Sequence, residues 1–395
     1  MKVLIVGAGI AGPTLAYWLR RSGHEPVLLE AAPELRRGGY LVDFWGAGFE
    51  VADRMGIAGR VQEAGYRMRE VREVDERGHR ILSLDPVKLI GRHGARYVSV
   101  GRSDLSRIIV DALPDDVEQI FGDRLEELRD EGDHVAVRLA RGGERRFDLV
   151  VGADGLHSSV RRLAFGPESE FERNLGIAVA VFDVAGYRPR DELVAVMRTQ
   201  VGAQTLRLSL DDDVSMFVFT FRRDGPIPLD DVEAQKALLR ERLSALGALS
   251  WEVPSILETL PRARTFYFDS ASQIRMPSWS RGRVALVGDA AAGPSLLAGQ
   301  GTALAMIEAY VLAAELHAAA GDHVAAFAAY QERLSDFIRA KQDGATRMGG
   351  AFAPRSRRLL WLRNTVMRLM TVPGVSDLAV GRSLYDRIEL PDFRP

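Results

Sequence analysis

The first thirty residues leave the chain few ways to fold. Val3-Leu-Ile-Val6 is a short apolar run with no polar alternation, the pattern of a parallel strand buried on both faces. Gly7-Ala-Gly9-Ile10-Ala11-Gly12 follows at G-x-G-x-x-G spacing, then a helical stretch to Ser22-Gly23, then a second strand, Pro26-Val-Leu-Leu-Glu30. Gly7 permits a tight turn, Gly9 lets the backbone approach a pyrophosphate, and Gly12 lets the helix pack close to the strand. The helix N-terminus, with Ile10 and Ala11 in its first turn, aims free N–H groups and a partial positive charge at phosphates. Glu30 stands 18 positions after Gly12, where a carboxylate can accept hydrogen bonds from the ribose hydroxyls of an adenosine. A glycine-rich turn alone is a weak signal. A strand before it, a helix after it and an acid at this distance together specify a dinucleotide site in an α/β fold. This unit does not distinguish FAD from NAD(P).

The remainder of the 395 residues is enough for a second domain. Hydrophobic residues make up 47% and charged residues 27%, as in a soluble globular protein. Lys and Arg number 52 against 54 Asp and Glu, so no bulk charge calls for nucleic acid. The chain has no cysteine, which excludes disulfides, thiolate metal sites and cysteine nucleophiles. Its seven histidines are scattered without metal-ligand spacing, and no metal is expected. No apolar run reaches the length of a membrane span, and the first strand lies at the start of the chain. The expectation is a cytoplasmic monomer or homodimer.

Further along, Tyr40-Leu-Val-Asp43-Phe-Trp45 reads as a strand, and Ser103 as the cap of a helix from Leu105 to Leu113. A buried strand, Phe147-Asp-Leu-Val-Val151, ends in Asp154-Gly155, a turn placed where open α/β sheets bind ligands. From about Asn174 to Ile274 strands dominate, with one helix near Asp230 to Ala245, which predicts a largely antiparallel sheet. Phe182, Phe217, Phe219 and Phe221 cluster here, as core or as a face over a ligand pocket. Another buried strand ends in Gly288-Asp289, and the loop from Pro294 through Gly299-Gln300-Gly301-Thr302 feeds a long helix N-terminus. Helices follow to the C-terminus. Basic, apolar Arg355 to Met370 reads as a helix packed on the body, with a membrane-surface helix as the alternative.

Three motifs now stand in order: Gly7-x-Gly9-x-x-Gly12 with Glu30, Asp154-Gly155, and Gly288-Asp289 with Gly299-Gln300-Gly301. Jointly they resemble the class A flavoprotein monooxygenases, the family of p-hydroxybenzoate hydroxylase, over nearly the whole chain. The shorter branch with the tetracycline-inactivating monooxygenases is most similar. The resemblance implies a Rossmann-like FAD-binding domain, a largely antiparallel substrate-domain sheet and C-terminal helices. The implied division is 1–72, 95–173 and 275–345 for the FAD-binding domain, 73–94 and 174–274 for the substrate domain, and 346–395 for a C-terminal helical segment. It implies that the first glycine motif holds the FAD pyrophosphate and Glu30 the adenosine ribose. Asp154 and Gly155 would touch FAD and NAD(P)H, Asp289 the ribityl and pyrophosphate region, and Pro294 to Gly301 the isoalloxazine ring. Arg102 matches an arginine that reaches the FAD linkage, or is a surface arginine. Ala31 stands where the family often has Arg, and Ala292 where it often has His.

By the same resemblance the flavin carries the chemistry and the protein supplies position and electrostatics. NADPH or NADH reduces tightly held FAD, O2 reacts with the reduced flavin, and a C4a-hydroperoxyflavin oxygenates a small molecule. An apolar pocket must then exclude water. Asp43 and Trp45 lie on the strand that passes near flavin and substrate in the family. Asp43 is either a substrate-binding base or a strand-edge aspartate. Trp45, Phe182, Phe217 and Phe219 are the candidate substrate contacts, and an aromatic or polyketide-like substrate is expected. The competing readings are an FAD-dependent reductase or dehydrogenase without oxygen insertion, and a flavin-binding protein without turnover.

Overall fold

The computed structural model of the protein describes residues 1–35, 40–87, 96–211, 213–225, 227–228, 230–369 and 388–393. Its opening unit is β1 (Lys2–Val6), α1 (Ala11–Arg21) and β2 (Glu25–Glu30). Four more strands complete the sheet: β3 (Glu118–Phe121), β4 (Leu149–Gly152), β5 (Ser280–Arg281) and β6 (Val284–Leu286). The order is β5-β6-β4-β1-β2-β3, parallel throughout except for β5 against β6. Val3, Leu4 and Ile5 are fully buried, which is why β1 shows no alternation.

Five helices build the site around this sheet: α2 (Arg102–Val110), α3 (Ser159–Ala164), α4 (Gly301–Ala318), α5 (His323–Phe352) and, beyond them, α6 (Arg357–Leu369). α4 is buried around most of its circumference, a core helix and not an amphipathic one. α2 begins one residue before Ser103 and carries no side-chain cap, so Ser103 is not the expected cap.

A second, seven-stranded sheet runs in the order Thr265–Ile274, Glu172–Ala185, Val214–Arg222, Ala203–Ser209, Val194–Gln200, Glu70–Val74, Arg80–Leu84. Every pairing is antiparallel except Val194–Gln200 with Glu70–Val74. One face is covered by the helices Val232–Ala245 and Val253–Thr259, the second of which the sequence pattern did not reveal. The other face looks toward the first sheet, where Tyr40, Leu41 and Leu296 pack on it.

Three expected boundaries move. Glu70–Val74 joins the second sheet, so the substrate segment begins before residue 73. α5 runs unbroken past 346. Residues 388–393 return to the first domain, where Phe393 packs against Trp18 and Tyr310. Residues 88–95 and Gly38-Gly39, which figured in the expected substrate segment and flavin loop, lie outside the described residues.

Candidate functional site

The glycine turn divides its labour. A Cβ on Gly7, whose φ is +109°, would stand 2.5 Å from the Ala153 carbonyl oxygen, and one on Gly12 only 1.9 Å from that of Gly7. Both glycines are therefore required by the fold. At Gly9, among the described residues other than its chain neighbours, the one atom within 4 Å of such a carbon is Arg102 Nη2, at 3.7 Å. Among the described residues, the space over Gly9 is a cradle that no other side chain enters. Ser106 on α2 fixes the turn from behind, its hydroxyl lying 3.1 Å from the Ala8 and 2.9 Å from the Gly9 carbonyl oxygen. No side chain caps α1, so its first N–H groups, after buried Ile10 and Ala11, remain available for an anion. Glu30 accepts from the Ala8 N–H at 2.8 Å and the Ala32 N–H at 2.9 Å, which fixes its carboxylate beside the turn with lone pairs to spare.

Asp289 closes the opposite end. It follows Gly288, whose φ of +63° turns the chain sharply out of β6. Among the described residues no protein donor bonds its carboxylate. Burial raises its pKa, while the Arg102 guanidinium opposes that and Asp269 adds to it. Arg102 is half-buried, its guanidinium beside Gly9 and its charge acting on Asp289. Beyond Asp289 the chain passes Pro294, Ser295 at φ +85° and left-handed Gly299 before entering α4 at Gly301 and Thr302. α4 has no side-chain cap, so its N-terminus is a second one with free N–H groups, directly after the loop that follows Asp289.

The second sheet contributes what the sequence did not reveal. Tyr40 and Tyr267 pack with ring centroids 5.2 Å apart and planes inclined at 56°, and Asp269 lies 3.3 Å from the Tyr267 hydroxyl. Burial pushes both phenols up, and Arg102 partly offsets this for each. Tyr40, Arg102, Tyr267, Asp269 and Asp289 therefore form one polar cluster between the two sheets. Beside it the sheet carries Val181 and Met216, both buried, and Leu206 and Val218, which are partly exposed.

Several expected contacts are corrected. Asp154 has its carboxylate occupied: it accepts from the Ser158 hydroxyl, from the Ser159 N–H and hydroxyl at 2.7 Å each, and from the Val160 N–H at 3.2 Å. An acid just ahead of Ser-Ser is captured by the free N–H groups of α3, so Asp154 shapes the turn and offers no free ligand group. Gly155, at φ +81°, lets the chain leave that turn. Phe182, Phe217 and Phe219 are fully buried on the helix-covered face, against Leu239, Leu243 and Ile256. Pleating with period two sends them away from the cleft and sends Val181, Met216 and Val218 toward it. Gln300 has its side-chain oxygen held by Lys341 Nζ at 2.6 Å. Asp43 is solvent-exposed on a two-stranded ribbon, where Oδ1 accepts from Tyr97 at 2.8 Å and Ser99 at 2.5 Å, and it stands outside the polar cluster. Trp45 is buried at the start of the helix Gly46–Arg54.

A surface cleft along Arg69, Glu70, Arg72, Asp191 and Glu192 has its charges paired internally, Arg72 with Glu70 at 2.7 Å and with Asp191 at 3.4 Å. No helix among the described residues is long and apolar enough to cross a membrane.

Comparison with known proteins accords with this geometry. A family described as FAD binding domain matches residues 1–340. A flavin-dependent monooxygenase from an unknown prokaryotic organism is 35% identical, over 99% of both chains. The crystal structure of tetracycline destructase Tet(55) superposes with a TM-score of 0.83 at 34% identity, covering 99% of this chain and 98% of that one. A Klebsiella pneumoniae HpxO variant complexed with FAD gives a TM-score of 0.76 at 26% identity, covering 93% and 94%. By these matches the chain belongs to the FAD-binding class A flavoprotein monooxygenases.

Proposed function

We propose that this FAD-dependent monooxygenase uses NAD(P)H and O2 to place one oxygen atom on a bulky, largely apolar aromatic or polyketide-like molecule. In balance, substrate, O2, NAD(P)H and a proton give oxygenated substrate, water and NAD(P)+. Bound FAD supplies the hydride acceptance and oxygen activation. The observation that carries this reading is the polar cluster of Arg102, Tyr267, Asp269 and Asp289 set directly beside the apolar face of the second sheet.

The chain's own residues divide the work. The Gly9 cradle and the N-terminus of α1 receive the pyrophosphate, and Glu30 takes the ribose. Asp289 accepts hydrogen bonds from hydroxyls between the two ends, and Arg102 neutralises charge along the linkage. The loop Pro294–Thr302 and the N-terminus of α4 would hold the flavin ring, and the helix N-terminus would stabilise negative charge on it. Val181, Leu206, Met216 and Val218 exclude water and receive the apolar body of the substrate. The similarity to a tetracycline destructase supports a substrate of that bulk. The need for NAD(P)H points to the cytoplasm, where that reductant is made.

Isotopically labelled oxygen gas tests the reaction. With a true substrate, NAD(P)H oxidation accelerates, oxygen is consumed and the product gains one labelled atom. Rapid anaerobic turnover with no label incorporated in air would assign the protein to the FAD-dependent reductases instead.

A further inference from the structure

We propose that Glu308 is a positioning residue for the cofactor-holding turn, and that its proton, exchanged against Tyr330, sets how tightly Asp289 holds FAD. The proposal rests on the reading of Asp289 as an FAD acceptor.

Glu308 lies on α4 and Tyr330 on α5, and both are buried, at 1% and 0% exposure. Glu308 Oε2 accepts the Gly288 N–H at 2.7 Å, directly behind the turn that presents Asp289. The Tyr330 hydroxyl lies 3.2 Å from that same oxygen and 3.2 Å from the Leu286 carbonyl oxygen. A phenol has one proton, and here it has two acceptors at equal distance. With Glu308 ionised, Tyr330 donates to the carboxylate. With Glu308 neutral, the acid donates to the phenol oxygen, and the phenol proton passes to Leu286. Gly288 keeps its acceptor in both states, so no heavy atom need move. A buried acid that served only as a fixed brace would not need this second arrangement.

The titratable groups that face Glu308 are Asp289 on the adjoining turn and Tyr330 on α5. No Lys, Arg or His among the described residues pairs with it. Burial pushes Glu308 up to about 8, Asp289 adds to the rise, and the Gly288 N–H and Tyr330 hydroxyl oppose it. Ionisation therefore falls in ordinary buffers. It places a negative charge directly behind the turn that presents Asp289, and so would weaken the hold on the anionic cofactor.

The test is the dissociation constant of FAD from the apoprotein, read by flavin fluorescence between about pH 6.5 and 9.5. Wild-type Kd is expected to rise about three- to tenfold across this range, with a midpoint near 8. Glu308→Gln keeps the shape without the titration, so its profile is flat and its Kd at low pH stays near wild type. Tyr330→Phe removes the donor to the ionised carboxylate and moves the midpoint up. His157 also titrates in this window and contacts Asp269 of the same cluster, so the series is repeated in a His157→Gln background, where the slope should persist and Glu308→Gln should still abolish it. A wild-type Kd independent of pH, a slope that survives in Glu308→Gln, or a slope lost in His157→Gln would overturn the proposal. If Glu308→Gln does not fold, an unshifted midpoint in Tyr330→Phe overturns it equally. Absence of FAD binding at every pH would instead defeat the reading of the site itself.

Discussion

His157 Nε2 stands 3.6 Å from Asp269 Oδ2, tying the loop after β4 to the edge strand of the second sheet. Its Nδ1 lies 2.9 Å from Glu168. The bond to Asp269, helped by Glu168 and opposed by burial, raises the imidazole pKa from 6.5 to about 9. The folded state thus holds this proton more tightly than the unfolded chain. The stabilisation is fully present below about pH 6.5 and is lost as pH rises through about 9. The side chain is 42% exposed, so solvent screening limits it to roughly 1 kcal/mol or less. An NMR titration of the ring proton should give a midpoint near 9. A midpoint near the unperturbed value would show that the two contacts are not formed in solution.

Glycine substitutions should separate folding from cofactor binding. Gly12→Ala drives a methyl to 1.9 Å from the Gly7 carbonyl oxygen, in rigid backbone, and should cost about 1–3 kcal/mol or more of stability. Among the described residues beyond its chain neighbours, Gly9→Ala meets Arg102 alone, at 3.7 Å, so the melting temperature of the apoprotein should hold while FAD affinity falls more than about tenfold. Asp289→Ala should act like Gly9→Ala, losing charged-acceptor bonds worth roughly 1.5–3 kcal/mol, about one to two decades in Kd. Equal effects of Gly9→Ala and Gly12→Ala on melting would contradict the division.

The two faces of the second sheet should respond differently to mutation. Phe219→Ala removes a fully buried ring and should cost about 3–5 kcal/mol in denaturant unfolding, with little change in KM per folded enzyme. Tyr267→Phe removes a hydroxyl 3.3 Å from Asp269 and should shift kcat/KM with stability nearly intact. A KM effect in Phe219→Ala with unchanged stability would return that ring to the pocket.

Arg363 anchors α6. Its Nη2 lies 3.0 Å from Glu73, with side chains 9% and 1% exposed, while no residue of α6 is itself buried. Glu73 also accepts the Thr199 N–H at 2.9 Å. Arg363→Met strands a buried carboxylate and should cost about 3–5 kcal/mol, whereas the double change with Glu73→Gln should recover part of it. Hydrogen exchange along residues 357–369 should accelerate in the single variant, and protection equal to wild type would count against the anchor.

Local rules made the first half of the site legible. The spacing of Gly7, Gly9 and Gly12 is fixed by backbone approach, and Glu30 by the length of one helix and one strand. They did not reveal which way side chains point. Phe182, Phe217 and Phe219 were plausible pocket residues until the pleat assigned them to the helix-covered face. Asp154 looked like a ligand because a strand-end aspartate can bind a cofactor or cap the next helix, and only the four bonds it receives decide between them. Tyr40, Tyr267 and Asp269 carry no motif. They become a site because two sheets, far apart in sequence, meet around Arg102.

The interleaving of the first sheet also orders events on the ribosome. β1 lies beside β4, and β4 waits for β6, which is made only after the whole second sheet has been translated. Until Val284–Leu286 emerges, β4 presents an open apolar edge, and the turn carrying Asp289 does not exist. The nascent chain can thus build the pyrophosphate cradle early yet cannot capture flavin at both ends. An edge left open for that long is where the nascent chain is exposed to aggregation before the sheet can close.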